Sequence, residues 1–126
     1  MRALLDTHVY LWWLSDPEKI SDKAHKVIEN TSNTIFISAA VAWEIAIKRS
    51  IGKLKVPANI MEYVEEERFV ELPISFAHTA KLASLEDIHR DPFDRILLAQ
   101  AKANKLVFVT RDQINMSYSN IKMIEA

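Results

Sequence analysis

The stretch that decides the fold is Thr34-Ile-Phe-Ile-Ser-Ala-Ala-Val-Ala-Trp-Glu-Ile-Ala-Ile-Lys-Arg-Ser50. Its first four residues are mostly β-branched or aromatic, which is typical of a short strand. Ser38 then stands where a helix N-cap is expected, and the apolar run after it predicts a helix to about Ser50. A strand that passes directly into a helix is the unit from which parallel α/β sheets are built.

Similar units lie on both sides of this stretch. The pattern predicts further strands at Arg2–Leu5, Phe69–Leu72, Leu106–Val109 and, more weakly, Ile121–Ile124. It predicts further helices at about 9–14, from Asp16-Pro17 to about Asn30, at 58–67, at 76–85, and from Asp91-Pro92 to about Asn104. Strands that alternate with helices favour a mainly parallel central sheet covered on both faces, in one α/β domain spanning residues 1–126.

Composition narrows the class of protein. The 126 residues suit one domain, and 49% apolar with 26% charged residues is ordinary for a soluble protein. The net charge of −1 gives no general attraction to nucleic acid, so such binding would need a local basic patch. The chain has no cysteine, which excludes disulfides and thiolate sites. Gly52 is its only glycine, which argues against glycine-rich phosphate and dinucleotide loops.

The apolar content gives no sign of membrane insertion. Asp6 stops the first apolar run after three residues, so no secretory signal segment fits there. No stretch approaches the roughly 18 apolar residues that a membrane span requires. We therefore expect a soluble, cytoplasmic protein.

Four acidic residues lie against this apolar sequence. Asp6 and Asp112 follow predicted strands, and the carboxyl ends of parallel strands meet at one edge of a sheet. Glu44 lies only about 10 Å along its helix, and Asp94 lies in the first turn of another. Buried carboxylates are costly without a compensating cation, and Mg²⁺ or Mn²⁺ prefers oxygen ligands. One metal site at this edge would explain all four.

Each acid also has a local explanation. Glu44 could pair with Lys48 one helical turn later. Asp94 could serve the helix dipole, while Asp6 and Asp112 could be turn or loop residues. These explanations do not account for four acids at the same edge. A fifth acid, Asp91, stands directly before Pro92 and is better explained as the N-cap of the following helix than as a metal ligand.

Four motifs resemble those of the PIN-domain family, and most of all the VapC-type toxins of bacterial and archaeal toxin–antitoxin pairs. They are Leu4-Leu-Asp-Thr-His-Val-Tyr-Leu-Trp12, Ser38-Ala-Ala-Val-Ala-Trp-Glu-Ile-Ala-Ile-Lys48, His89-Arg-Asp-Pro-Phe-Asp-Arg-Ile-Leu-Leu-Ala-Gln-Ala101 and Val109-Thr-Arg-Asp112. The resemblance covers essentially the whole chain. It implies a three-layer α/β/α nuclease fold. It also implies a catalytic metal cluster formed by Asp6, Glu44, Asp94 and Asp112. The hydroxyls of Thr7 and Thr110 would support that cluster.

The resemblance also implies an activity and partners. A protein of this kind is expected to be a Mg²⁺- or Mn²⁺-dependent endoribonuclease that cleaves RNA with a metal-activated water. It is expected to form a homodimer and to bind a cognate antitoxin protein that covers the active site.

Several basic residues are candidates for contacting RNA phosphates. They are Lys48, Arg49, Lys53, Arg95 and Arg111. The alternative for them is a solvated basic face. The tryptophans are interpreted as core or interface residues. His8 and His89 lie near the acidic motifs and could assist the reaction, but a structural or solvated role is favoured for both.

Two rival functions remain open. One is a phosphatase built on a strand-end aspartate, although position 8 is His where a haloacid-dehalogenase-like phosphatase would have a second Asp. The other is a non-catalytic interaction module with the same fold. A degenerate nuclease would be expected to lose at least one acid, and none is missing.

Overall fold

A parallel five-stranded sheet forms the centre of the protein, whose computed structural model describes residues 1–126. The strands are β1 (Arg2–Leu5), β2 (Thr34–Ser38), β3 (Val70–Leu72), β4 (Val107–Thr110) and β5 (Met123–Glu125). Their order is β3-β2-β1-β4-β5, and every neighbouring pair is parallel. The predicted α/β class is confirmed.

Seven helices surround the sheet. They are α1 (Thr7–Ser15), α2 (Asp22–Glu29), α3 (Ala39–Ser50), α4 (Tyr63–Glu66), α5 (Phe76–Lys81), α6 (Pro92–Asn104) and α7 (Gln113–Met116). Successive residues of a strand point to opposite faces, and Ala3, Leu4 and Leu5 are all completely buried. Both faces of the central strands are therefore covered, which gives three layers. None of the helices has the length and apolar content that crossing a bilayer requires.

The strand order places a switch point at the centre of the sheet. From β1 the chain moves outward through β2 and β3, and it then returns to the other side of β1 to form β4 and β5. Ligand sites in open α/β sheets lie outside the carboxyl ends of the strands at such a point. Here the two strands at that point are β1 and β4, which end just before Asp6 and Arg111.

Two of the predicted helix caps are confirmed. The Ser38 hydroxyl accepts the Ala40 N–H at 3.0 Å and begins α3. The Asp91 carboxylate accepts the N–H groups of Phe93 and Asp94, at 2.8 and 3.1 Å, and begins α6. These are the two helices that carry Glu44 and Asp94, so the caps also position the site.

Other predicted boundaries are wrong. Asp16 makes no capping bond, and Pro17 opens only a short 3₁₀ turn. Helix α2 begins later, where the Ser21 hydroxyl accepts the Ala24 N–H at 3.1 Å. The predicted helices at 58–67 and 76–85 each divide into a 3₁₀ turn and the short helices α4 and α5. Helix α1 starts at Thr7 rather than near position 9, and α7 was not predicted.

Candidate active site

The four predicted acids line one cavity of about 390 Å³ at the carboxyl end of the sheet. Asp6 follows β1, Asp112 comes shortly after β4, Glu44 lies in the second turn of α3, and Asp94 lies in the first turn of α6. Their convergence from four separate elements was the central expectation. The remaining lining residues are His8, Trp12, Lys48, His89, Asp91 and Arg111.

Asp6 is buried and held by two hydrogen bonds. Its Oδ1 accepts the Thr7 N–H at 2.6 Å, and its Oδ2 accepts the Thr110 hydroxyl at 2.7 Å. Burial raises the pKa of Asp6 to about 6, and the charges of Glu44 and Asp112 act in the same direction against these hydrogen bonds. Asp6 therefore ionises less readily than an ordinary aspartate, and a nearby cation would offset that cost.

Glu44 is also buried, and both of its oxygens have donors. Oε1 accepts the Thr7 hydroxyl at 2.6 Å, and Oε2 accepts the Lys48 ammonium at 2.5 Å. The hydrogen bond to Glu44 raises the pKa of Lys48. The predicted ion pair between Glu44 and Lys48 is thus present in the fold. It does not exclude a role for Glu44 as a metal ligand, because the same carboxylate lines the cavity.

His89 bridges the other two acids. Its Nε2 lies 3.2 Å from Oδ2 of Asp94 and 3.2 Å from Oδ2 of Asp112. Its Nδ1 accepts the Asp91 N–H at 3.2 Å, so the hydrogen of the neutral ring must be on Nε2. The imidazole N–H therefore donates to Asp112, and Asp94 lies beside it as a close electrostatic partner. Burial, followed by the charge of Asp6, raises the pKa of Asp94 to about 6.

The donor set fits a hard divalent cation. Five carboxylates line the cavity, against only two side chains with a permanent positive charge, Lys48 and Arg111. The ligand atoms of His89, Asp94 and Asp112 lie within 4.8 Å of one another. Burial and repulsion between carboxylates raise the pKa values of Asp6 and Asp94. A cation among the carboxylate oxygens would offset both costs of ionising them.

The structure brings two of the five candidate RNA contacts into this cavity, Lys48 and Arg111. The Arg111 guanidinium lies 4.6 Å from the Trp12 ring and donates to the Ala126 carbonyl at 2.7 Å. Arg49 lies in a separate groove together with Lys55, and Lys53 is exposed.

Arg95 lies outside the cavity lining and is hydrogen-bonded to the loop before α6. Its guanidinium donates to the carbonyls of Leu82, Glu86 and His89 and to the Tyr118 hydroxyl. This side chain therefore fixes the backbone around His89.

Three residues at the site were missed or given other roles by sequence reasoning. Trp12, interpreted as a core or interface residue, lines the cavity and stacks on His8 with ring centroids 5.7 Å apart. His89 lies in a matching motif, which was a signal for its place at the site. Asn115 had no such signal. It is completely buried on α7, and its amide contacts Asp94.

Comparison with known proteins agrees with this geometry. The PIN domain family model matches residues 3–117. Ribonuclease VapC22 of Mycobacterium tuberculosis is 30% identical over 116 residues, which cover 88% of this chain and 87% of that protein. The structure of VapBC2 from Rickettsia felis bound to a DNA fragment from their promoter has a TM-score of 0.73 at 17% identity and covers 98% of both chains. A toxin–antitoxin complex from Klebsiella pneumoniae gives a TM-score of 0.64 at 18% identity, covering 98% of this chain and 96% of that one.

The two structural likenesses, at less than 25% identity, establish the fold. The family match spans nearly the whole chain and includes all five acids of the cavity. The chain belongs to the PIN domain family.

Proposed function

We propose that this chain is a metal-dependent endoribonuclease and the toxin of a type II toxin–antitoxin pair, with residues 1–126 acting as one nuclease domain. The observation that carries the proposal is the convergence of four carboxylates, from four elements, in one cavity where two of them are costly to ionise. The name of the Mycobacterium tuberculosis relative, a ribonuclease, supports RNA as the substrate. Membership of the PIN family disfavours the phosphatase alternative.

Asp6, Glu44, Asp94 and Asp112 would hold the ion, and the oxygen-rich donor set favours Mg²⁺ or Mn²⁺. When bound, such an ion supplies a more acidic water and neutralises charge on the scissile phosphate. The protein's own contribution is to hold the carboxylates close together and fixed.

The two threonine hydroxyls serve this purpose. Thr7 donates to Glu44 and Thr110 donates to Asp6, so each fixes one oxygen of a buried carboxylate. A hydroxyl can do so without adding charge to the cavity, which leaves the negative potential available to a cation. We assign both threonines a supporting role.

Arg111 is the best placed residue to contact an RNA phosphate. Its guanidinium is held over Trp12 and against the Ala126 carbonyl at the cavity, so little side-chain entropy is lost when a phosphate binds. Lys48 now pairs with Glu44. It would be free to contact a phosphate when a bound metal ion neutralises Glu44 instead. Arg49 and Lys53 would extend the contact along the neighbouring surface.

Two protein partners complete the proposal. The Klebsiella pneumoniae neighbour is a toxin–antitoxin complex, which supports a cognate antitoxin for this chain.

A homodimer is supported by exposed apolar side chains spaced four residues apart along α3 and just beyond it, at Trp43, Ile47 and Ile51. Ile47→Glu should convert the dimer to a monomer in light scattering. The cytoplasmic location remains a prediction.

The test is RNA cleavage by the purified protein. We expect cleavage with Mg²⁺ or Mn²⁺, none with a chelator, and none by Asp6→Asn, which remains folded by circular dichroism. Asp16→Asn is the matched control, because this exposed aspartate makes only a surface ion pair with Lys19. Metal-independent cleavage, or full activity in Asp6→Asn, would refute the mechanism.

A further inference from the structure

Asn115 is a completely buried polar residue that faces the acidic cluster from α7. Its Nδ2 donates to Oδ1 of Asp94 at 3.0 Å and to Oγ1 of Thr110 at 3.3 Å. One amide group therefore contacts an acid directly and also the hydroxyl that supports another acid.

The chemistry of Thr110 fixes the direction of these bonds. Its single hydroxyl hydrogen is donated to Asp6, so its oxygen can only accept from other groups. It does accept, from the Asn115 amide and from the Asp112 N–H at 3.2 Å. Asn115 must therefore present its NH₂ group to the cluster.

The other end of the Asn115 amide has no partner. Its Oδ1 is buried and receives no hydrogen bond. A buried polar atom without a partner lowers stability, and an apolar side chain of similar size would avoid that cost. What distinguishes asparagine from an apolar residue at this position is therefore its N–H groups, which serve the acids.

Helix α7 presents this amide to the site. The helix is a single turn, and Oδ1 of Asp112 caps it by accepting the Ile114 N–H at 2.8 Å. Asp112 therefore lines the cavity and also begins the turn on which Asn115 lies. The other oxygen of Asp94 lies 3.2 Å from Nε2 of His89, so each oxygen of this carboxylate has a close polar neighbour.

We propose that Asn115 is a positioning residue of the metal site, which holds Asp94 directly and Asp6 through Thr110 at the separation that a divalent cation needs. Each carboxylate oxygen has two lone pairs, so an oxygen that accepts from an N–H keeps one lone pair for an ion. Hydrogen-bonding groups behind metal ligands tune affinity in this way. The inference rests on the proposed function, because it assumes that these acids bind a metal ion.

The test compares two buried amides. Asn115→Leu removes the donors at the acids. Gln100→Met is the matched control, because Gln100 is equally buried and its Oε1 also lacks a partner, but its Nε2 contacts Pro73 and His78 instead of the acids. Mn²⁺ affinity is measured by electron paramagnetic resonance without RNA, and urea unfolding is measured on the metal-free proteins.

We expect Asn115→Leu to lose about 10–100-fold in Mn²⁺ affinity, while a cooperative urea transition shows that the metal-free variant is folded. Gln100→Met should bind Mn²⁺ like the wild type. If Asn115→Leu does not fold, Asn115→Ala removes the same donors with a helix-compatible residue.

The proposal is overturned if the Asn115 variants bind Mn²⁺ with wild-type affinity, or if Gln100→Met loses as much. A wild-type protein that binds no Mn²⁺ overturns the proposed function itself. The two failures are therefore distinguishable.

Discussion

Replacing Asp6 with Asn should make the metal-free protein more stable while abolishing its activity. Burial moves the pKa of Asp6 from 3.8 to about 6, which corresponds to a cost of about 3 kcal/mol for the ionised carboxylate at neutral pH. Asparagine avoids this cost. Its NH₂ group would, however, face the Thr110 oxygen, which already accepts two N–H groups, and the lost bond costs about 1 kcal/mol. The net gain in the free energy of unfolding is about 2 kcal/mol.

The raised pKa of Asp6 also predicts how the stability of the wild type and of Asp6→Asn changes with pH. The folded protein binds the Asp6 proton more tightly than the unfolded chain, so wild-type stability falls as pH rises from about 4 through about 6. Asp94 contributes to the same slope, because burial, followed by the charge of Asp6, also raises its pKa. The advantage of Asp6→Asn should therefore be largest above about pH 6 and should shrink towards about pH 4.

Urea unfolding in the presence of a chelator, at about pH 4.5 and about pH 7.5, measures both quantities. Asp16→Asn is the matched control, because the Asp16 side chain is 44% exposed and makes only a surface ion pair with Lys19. Its stability should stay within about 0.5 kcal/mol of the wild type. The reasoning is refuted if Asp6→Asn is no more stable than the wild type at the higher pH, or if its advantage does not change with pH.

Substitutions at three further positions and a metal titration test the groups that support the site. Thr7→Val leaves the buried Glu44 Oε1 without its donor, so unfolding free energy should fall by about 1–3 kcal/mol, and an unchanged urea midpoint would contradict this. Ser38→Ala should cost about 1 kcal/mol in the same assay through loss of the α3 cap, and a loss below experimental error would count against the cap. Asp91→Ala should cost about 0.5–2 kcal/mol, whereas Asp91→Asn should not, and equal effects would exclude a capping role. Mg²⁺ at about 100 times its Kd should stabilise the wild type by about 2.7 kcal/mol in calorimetry and leave Asp6→Asn unchanged.

The helix caps show where local sequence is sufficient. Ser38 and Asp91 were predicted correctly because a cap is a bond between residues two or three positions apart. Asp16 was predicted wrongly, since Ser21 offers a competing start five residues later. The Ser21 hydroxyl also donates to the Glu125 carbonyl of β5, a contact that no local pattern contains.

The site divides in the same way. The four acids were predictable because each follows a strand or lies early in a helix, and the parallel sheet brings those positions together. Asn115 was not predictable, because its partner Asp94 lies 21 residues away and α7 has no strong sequence signal. For His89 the sequence favours a structural or solvated role over assistance at the site, because its two acidic partners converge on it only in the fold.

The amino-acid sequence by itself determined the alternation of strands and helices, the caps of α3 and α6, and the edge of the sheet at which four carboxylates meet. These features depend on periodicity and on bonds between near neighbours. Only the tertiary structure decided which groups hold the carboxylates, from the hydroxyls of Thr7 and Thr110 to the imidazole of His89 and the amide of Asn115. Most of these contacts join residues more than twenty positions apart, and burial among such partners, not residue type, raises the pKa values of Asp6 and Asp94.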